Sequence, residues 1–250
     1  MLKIILTGCN GFMGRVLTDL IRDEKDLEAV AGIDITQNPS APYPVYASLS
    51  ECPVEADVAI DFSTASAVDA LLDACVEKKL PVVLCTTGLS EAQLEKVRAA
   101  SEEIPILRSA NMSLGINLLL KLVGEAAKIL ANAGFDMEIV EMHHNRKLDA
   151  PSGTALALAD SINAAMEEAY TYTFDRSARH EKRDPKEIGI SSVRGGTIVG
   201  EHDVIFAGTD EVIKISHSAH SRAIFAKGAL AAARFLADQP AGLYDMADAL

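Results

Sequence analysis

The chain has 250 residues, 49% of them apolar, and a formal net charge of -13. That is enough apolar material for one large domain or two small ones with real cores. The acidic balance leaves no basic surplus to neutralise phosphates, so general nucleic-acid binding is excluded.

The opening run Met1–Thr7 is strand-length and lacks the longer core of a signal peptide, and no apolar run reaches membrane-spanning length. The four cysteines, at 9, 52, 75 and 85, show neither CxxC nor metal-ligand spacing. A reduced, cytoplasmic protein without bound metal is expected. His217 and His220 stand three apart with no accompanying ligand set and are read as structural.

In chain order, Lys3–Thr7 reads as a buried strand, Gly8-Cys-Asn-Gly-Phe-Met-Gly14 follows it directly, and a helical pattern through Val16, Leu17, Leu20 and Ile21 comes next. Strand, glycine turn and helix in that order form a dinucleotide-binding opening. Gly8 permits the turn, Gly11 admits the pyrophosphate and Gly14 lets the helix close on the sheet. A second strand, Leu27 to Asp34, ends in an acid about twenty residues past the last glycine, placed to bind ribose hydroxyls and to repel a 2′-phosphate. Residues 35–39 supply no Lys or Arg to offset that repulsion. NADH is therefore expected to be preferred, with NADPH possible.

Asp57–Ser63, Pro81–Gly88 and Ile104–Asn111 read as three further strands, with helices over 65–79 and after Ser90-Glu-Ala-Gln93, a capping box. The alternation predicts a doubly wound parallel Rossmann sheet whose ligands gather at the carboxyl ends of its strands. Those ends carry Gly8, Cys9, Asn10, Gly11, Phe12 and Met13, then Asp34, then Cys85, Thr86 and Thr87, then Ser109, Ala110, Asn111 and Met112. These are the candidate cofactor-binding residues. Cys9 and Cys85 end strands that neighbour each other in the usual order, which leaves two readings, small residues packed under the turn or an oxidisable pair.

After Asn111 the pattern changes. A long apolar helix spans 114–131, a strand from Phe135 runs into His143, and a helix covers 152–168. A polar, structure-poor loop is expected from about 170 to 187, then three strand-like segments without helices between them. This predicts a smaller α+β domain with a mixed sheet over residues 114–221. The dinucleotide-binding domain is then 1–113, with 222–250 returning to it.

Residues 143–147 pack two histidines, an arginine and a lysine against the acidic background, and Pro151-Ser-Gly-Thr154 then marks a helix start. Unpaired amides there favour anions. A cationic, proton-donating loop leading into a helix N-terminus suits a small carboxylate that must also be protonated.

Glu141-x-His-His-x-x-Lys-x-Asp-Ala-Pro-Ser-Gly-Thr-Ala155 resembles the signature of the 4-hydroxy-tetrahydrodipicolinate reductase family. The likeness extends through Gly8–Gly14, Asp61-Phe-Ser63, Thr86-Thr-Gly88, Asn111–Gly115 and Ser191–His202. It implies NAD(P)H-dependent reduction of a cyclic imine dicarboxylate in the diaminopimelate route to lysine, by homotetramers assembled through the second domain. It assigns His143 as acid/base, Lys147 as proton donor, and His144, Gly153 and Thr154 to the substrate carboxylates; Arg222 matches a family arginine without a fixed role. Three positions depart from the family's pattern. Cys85 stands where its turn begins with glycine, Asn10 stands where many members carry another glycine, and the basic residue often found after the acid of strand two is missing. Two other readings share the glycine turn, a non-catalytic NAD(H) sensor and a short-chain dehydrogenase. The second needs Tyr-x-x-x-Lys, and none of the five tyrosines has a lysine four places on.

Overall fold

The first strand, β1 (Leu2–Thr7), buries Ile4, Ile5 and Leu6 in succession, as a strand covered on both faces must. The computed structural model describes residues 1–109 and 111–249. After the glycine turn, α1 (Phe12–Asp23) turns Gly14, Leu17 and Ile21 inward at helical spacing. There follow β2 (Leu27–Ile33), the two-residue β3 (Val45–Tyr46), β4 (Val58–Asp61), α2 (Ala65–Lys78), β5 (Val82–Leu84), α3 (Glu91–Ser101) and β6 (Pro105–Leu107). The capping box is present: Ser90 Oγ accepts from the Gln93 amide, and the Gln93 side chain accepts from the Ser90 amide.

The chain divides into two compact units, Met1–Leu114 with Ala223–Leu250, and Gly115–Arg222. The second comprises α4 (Leu114–Leu130), β7 (Asp136–His143), α5 (Gly153–Ala164), β8 (Thr171–Thr173), β9 (Glu187–Arg194), β10 (Gly200–Ala207) and β11 (Val212–Ala219). Its sheet runs β11-β10-β7-β9-β8 and is mixed: β10 is antiparallel to β7 and β11, whereas β7, β9 and β8 are parallel. Burial alternates along β7 and β10, the mark of a sheet packed on one face. Met137, Ile139, Val204 and Phe206 point to that face and meet Ile116, Leu119 and Val123 of α4 and Leu158 and Ile162 of α5. The same face continues beyond the apolar rows into Glu141, His143 and His202, which are also buried.

The stretch from 170 to 187, expected to lack structure, contains β8 and is pinned by arginines. Arg183 donates to Glu138 Oε1 at 3.0 Å, Asp136 Oδ1 at 2.8 Å and the Met137 carbonyl at 2.9 Å. Its order comes from side-chain ion pairs and leaves no backbone periodicity to read.

The chain returns to the first unit with α6 (Ala223–Leu236) and β12 (Gly242–Tyr244). The sheet there is wholly parallel, in the order β12-β6-β5-β4-β1-β2-β3. One core joins α1 and α6 to Ile4, Leu6 and Ile60, and another joins α2 and α3 to Ile5, Ala59 and Leu84. Helices thus cover both faces, as a doubly wound sheet requires. The topology corrects one expectation: β4 lies between β1 and β5, so the strands leading to Cys9 and Cys85 are not neighbours. Two strand spacings are about 9.5 Å, beyond the Cα separation of about 7 Å that a disulfide tolerates.

Candidate active site

The nucleotide cradle is set by backbone. Gly8 has φ +71°, and a Cβ there would stand 2.5 Å from the Phe62 carbonyl oxygen. At Gly14 a Cβ would stand 2.5 Å from backbone atoms of Cys9 and Gly8, so the helix rests directly on the turn. Asp34, just past β2, accepts from the Asn10 amide at 3.0 Å and the Thr36 amide at 3.0 Å. Asn10 in turn donates through Nδ2 to the Thr36 carbonyl at 2.5 Å. A cavity of about 680 Å³ opens here, lined among others by Gly8, Asn10, Gly11, Arg15 and Asp34. Arg15 is the residue sequence reasoning missed. It lies on α1, away from the segment after β2 where a cation was sought, and its Nε donates to the Asn10 carbonyl at 2.9 Å.

The remaining candidate cofactor residues divide by exposure. Phe12 is 60% exposed and Thr87 is exposed, whereas Cys9, Thr86 and Met112 are buried. Thr86 and Thr7 both donate hydroxyls to the buried Asp61, Thr86 at 2.5 Å, which ties together the ends of β1, β4 and β5. Met13 is half-buried against the core that α1 shares with α6. Ser109 Oγ donates to the Asn111 carbonyl at 3.2 Å, and Asn111 Oδ1 accepts from the Ser113 amide at 2.9 Å. Ala110 lies outside the described residues. Burial pushes the Cys9 thiol up to about 11, with Asp34 adding to the effect. Burial, and then Asp61, holds the Cys85 thiol well above its usual value. Thiols so disfavoured as thiolates are poor targets for oxidation, which supports the packing reading.

In the second unit, strand register lays the catalytic candidates out in rows. His217, His202, Glu141 and Ser192 are consecutive partners across β11, β10, β7 and β9. In the next row His143 pairs with Arg194, and on the other side a Cβ on Gly200 would stand 3.1 Å from His143 Nε2. Glu141 is fully buried and accepts from Arg194 twice, at 2.7 and 2.8 Å, and from the Ser152 amide at 3.1 Å. Its Oε2 also lies 2.6 Å from His143 Nδ1. Burial alone would raise this carboxyl, but hydrogen bonds from Arg194, Ser192 and His143 outweigh it and hold the group at about 2.

Ser152 caps α5, its Oγ accepting from the Ala155 amide at 3.2 Å and lying 3.0 Å from His202 Nε2. Burial, followed by the nearby His143, brings His202 down to about 4. The His143 and His202 rings meet edge to face at 5.2 Å. The loop beyond β7 is fastened to the β9–β10 turn, since Gly195 N donates to the His143 carbonyl at 2.9 Å and Asn145 N to the Gly196 carbonyl at 3.2 Å. Lys147 closes a turn onto the His144 carbonyl at 3.1 Å and pairs through Nζ with Asp149 at 2.8 Å. His144 Nδ1 is buried without a hydrogen-bond partner among the described residues. Partial burial, then Arg146 and Arg222, lowers this histidine. Gly153 is exposed, with nothing within 4 Å of where its Cβ would be. His143, His144, Lys147 and the start of α5 therefore gather at one end of the sheet's helix-covered face. Ser152 belongs to the helix-start motif, whereas Arg194 and His202 have no local spacing that ties them to it and are brought there by strand register.

Residues 2–112 match the family model described as "Dihydrodipicolinate reductase, N-terminus", and residues 115–250 match "Dihydrodipicolinate reductase, C-terminus". The chain belongs to the dihydrodipicolinate reductase family. It is 56% identical over 248 residues to the 4-hydroxy-tetrahydrodipicolinate reductase of Caldanaerobacter subterraneus subsp. tengcongensis, covering 99% of this chain and 98% of that one. The Clostridium tetani protein of the same name is 49% identical over 246 residues, covering 98% and 96%. Among solved structures, a dipicolinate-bound dihydrodipicolinate reductase from Paenisporosarcina sp. TG-14 superposes with a TM-score of 0.83 at 24% identity, over 98% of this chain and 97% of that one. That likeness establishes the shared α/β fold.

Proposed function

We propose that this family member reduces 4-hydroxy-tetrahydrodipicolinate to tetrahydrodipicolinate in the diaminopimelate route of lysine biosynthesis. The observation that carries the reading is the gathering of His143, His144, Lys147 and the N-terminus of α5 at one end of one sheet face. Cations, an amide-rich helix start and a buried imidazole there suit a diacid that must also take up a proton.

A nicotinamide dinucleotide supplies the hydride when bound, and the first unit's residues fit one. The positive-φ turn at Gly8, the close approach at Gly14 and the cavity bordered by Asp34 leave room for a dinucleotide along the strand ends. Loss of the substrate hydroxyl as water leaves a conjugated imine. One hydride and one proton then complete the reduction, and the proton is assigned to this chain. His143 acts as acid/base, Lys147 as proton donor beside the carboxylates, and His144, Gly153 and Thr154 bind those carboxylates. The exposed, uncrowded Gly153 favours close approach of an anion to backbone donors.

Asp34, which lines the cavity at the end of β2, supports NADH as the preferred cofactor, since its carboxylate would repel a 2′-phosphate bound there. Arg15 in the same cavity allows NADPH a share. The chain assembles as a homotetramer through its second unit. Both helices of that unit pack on one face of the mixed sheet, while Val140, Met142 and Ile205 on the other are only half-buried. The reading places the protein in the cytoplasm. Its cysteines are unpaired, and among the described residues no helix is long and apolar enough to cross a membrane.

The test is consumption of NADH absorbance with substrate generated in place by the preceding synthase. Wild type consumes it. His143→Gln and Lys147→Ala each lower kcat by about 100-fold or more, the usual range for losing a general acid or base. A protein that binds NADH but never consumes it is a sensor, and undiminished turnover in both variants removes the site assignment.

A further inference from the structure

Glu141 has no role in the reading above, yet several hydrogen bonds converge on its buried carboxylate. Its two oxygens accept from both terminal nitrogens of Arg194, from the Ser152 amide at the head of α5, and face His143 Nδ1 at 2.6 Å. A carboxylate kept ionised by a guanidinium can only accept a hydrogen bond, so the nitrogen opposite it has to be the one that carries hydrogen. The other nitrogen, Nε2, lies on the Gly200 side, where a Cβ would stand 3.1 Å from it and glycine supplies none.

We infer that Glu141, clamped by Arg194, is a positioning residue that fixes His143 in the Nδ1–H form, leaving Nε2 as the nitrogen that exchanges protons with the substrate. The inference rests on the assignment of His143 as the acid/base group. It departs from a purely structural ion pair on one point of geometry. Arg194 and the Ser152 amide are enough to satisfy both oxygens of Glu141, yet Oε2 is also aimed at the imidazole. Register makes the aim fixed: Glu141 and His143 are two residues apart on β7 and share a face, and Arg194 is the direct partner of His143 on β9. The arrangement follows the logic of carboxylate–histidine pairs, in which the acid selects the tautomer and never takes the proton itself.

The other groups around the imidazole do not select the same nitrogen. His202, on β10, meets the ring edge to face and is occupied with Ser152 Oγ. Lys147, in the following loop, is paired with Asp149.

The test uses the full-length enzyme with its histidines labelled with nitrogen-15 and the His143 signal assigned by its loss in His143→Gln. At alkaline pH, where imidazoles are neutral, the wild-type spectrum shows hydrogen on Nδ1 and a bare Nε2. Glu141→Gln, whose amide can donate as well as accept, shifts His143 toward the Nε2–H form. It lowers kcat by about 100-fold while KM for both substrates stays within about threefold. Arg194→Lys, which keeps the charge but loses the second hydrogen bond, retains more of kcat than Arg194→Ala. A wild-type spectrum with hydrogen on Nε2 overturns the inference even if no variant folds, as does Glu141→Gln with wild-type kcat. Undiminished turnover in His143→Gln overturns instead the acid/base assignment on which it rests.

Discussion

Glu141 and Arg194 reach each other diagonally across the parallel β7–β9 pair as a doubly hydrogen-bonded ion pair, 2.7 and 2.8 Å, with the carboxylate wholly buried. Removing one partner of such a pair leaves a buried charge alone, which typically costs about 3–5 kcal/mol. Arg194→Met is therefore expected to lower unfolding free energy in urea by that order. Acid should expose the same group. Its folded value is depressed from 4.5 to about 2, so its contribution is complete above pH 4.5 and disappears as pH falls toward 2. Glu141→Gln should lack that part of the acid-induced decline. Parallel curves for the two proteins over that window would refute the assignment.

His202 predicts a second, separate pH window. Burial takes it from 6.5 to about 4, so between those values the unfolded chain binds a proton that the folded chain refuses. Stability is full above pH 6.5 and falls as pH drops toward 4, by roughly 3 kcal/mol for a shift of this size. His202→Gln, which can still hydrogen-bond Ser152, should flatten the curve in that interval. Chemical denaturation at half-unit pH steps would show it.

The motif at 141–155 was legible because its members are close in sequence, and the parallel sheet was legible because its strands are continuous apolar runs. The partners of the motif were not. Arg194 lies 53 residues from Glu141, and His202 lies 50 from Ser152. What joins them is the pairing of β7 with β9 and β10, and strand register over such distances leaves no spacing in the sequence. β3 and β12 have two and three residues, too few to show a period. Arg15 is hidden for a different reason: the cation that borders the cavity comes from α1 and not from the segment after β2.

Cofactor choice should turn on Asp34 and Arg15 in opposite directions. A 2′-phosphate about 4 Å from a carboxylate is repelled by up to about 4 kcal/mol at an effective dielectric near 20, less once salt screens it. Asp34→Ala should raise the NADPH-to-NADH ratio of kcat/KM by about tenfold or more. Arg15→Ala should lower NADPH use more than NADH use. Initial rates with both cofactors on one substrate preparation test both changes. An unaltered ratio in Asp34→Ala would mean that this carboxylate does not meet the adenosine ribose.

Gly228, on α6, has a packing role that reaches the cofactor side of the first unit. A Cβ there would stand 1.6 Å from the carbonyl oxygen of Met112, so the backbone just after the Ser109–Asn111 turn lies flat on the helix. Alanine in a helix interior is ordinarily favoured over glycine by about 1 kcal/mol. Here the obstacle is backbone rather than a flexible side chain, and overpacking of this kind typically costs about 1–3 kcal/mol or more. Because the overlap is so deep, the clash should win. Gly228→Ala is expected to lower the melting temperature and to weaken NADH binding, by displacing Met112 and the backbone beside it. Calorimetry and cofactor titration on the same sample would separate the two effects, and a Gly228→Ala protein more stable than wild type would show that helix propensity outweighs the contact.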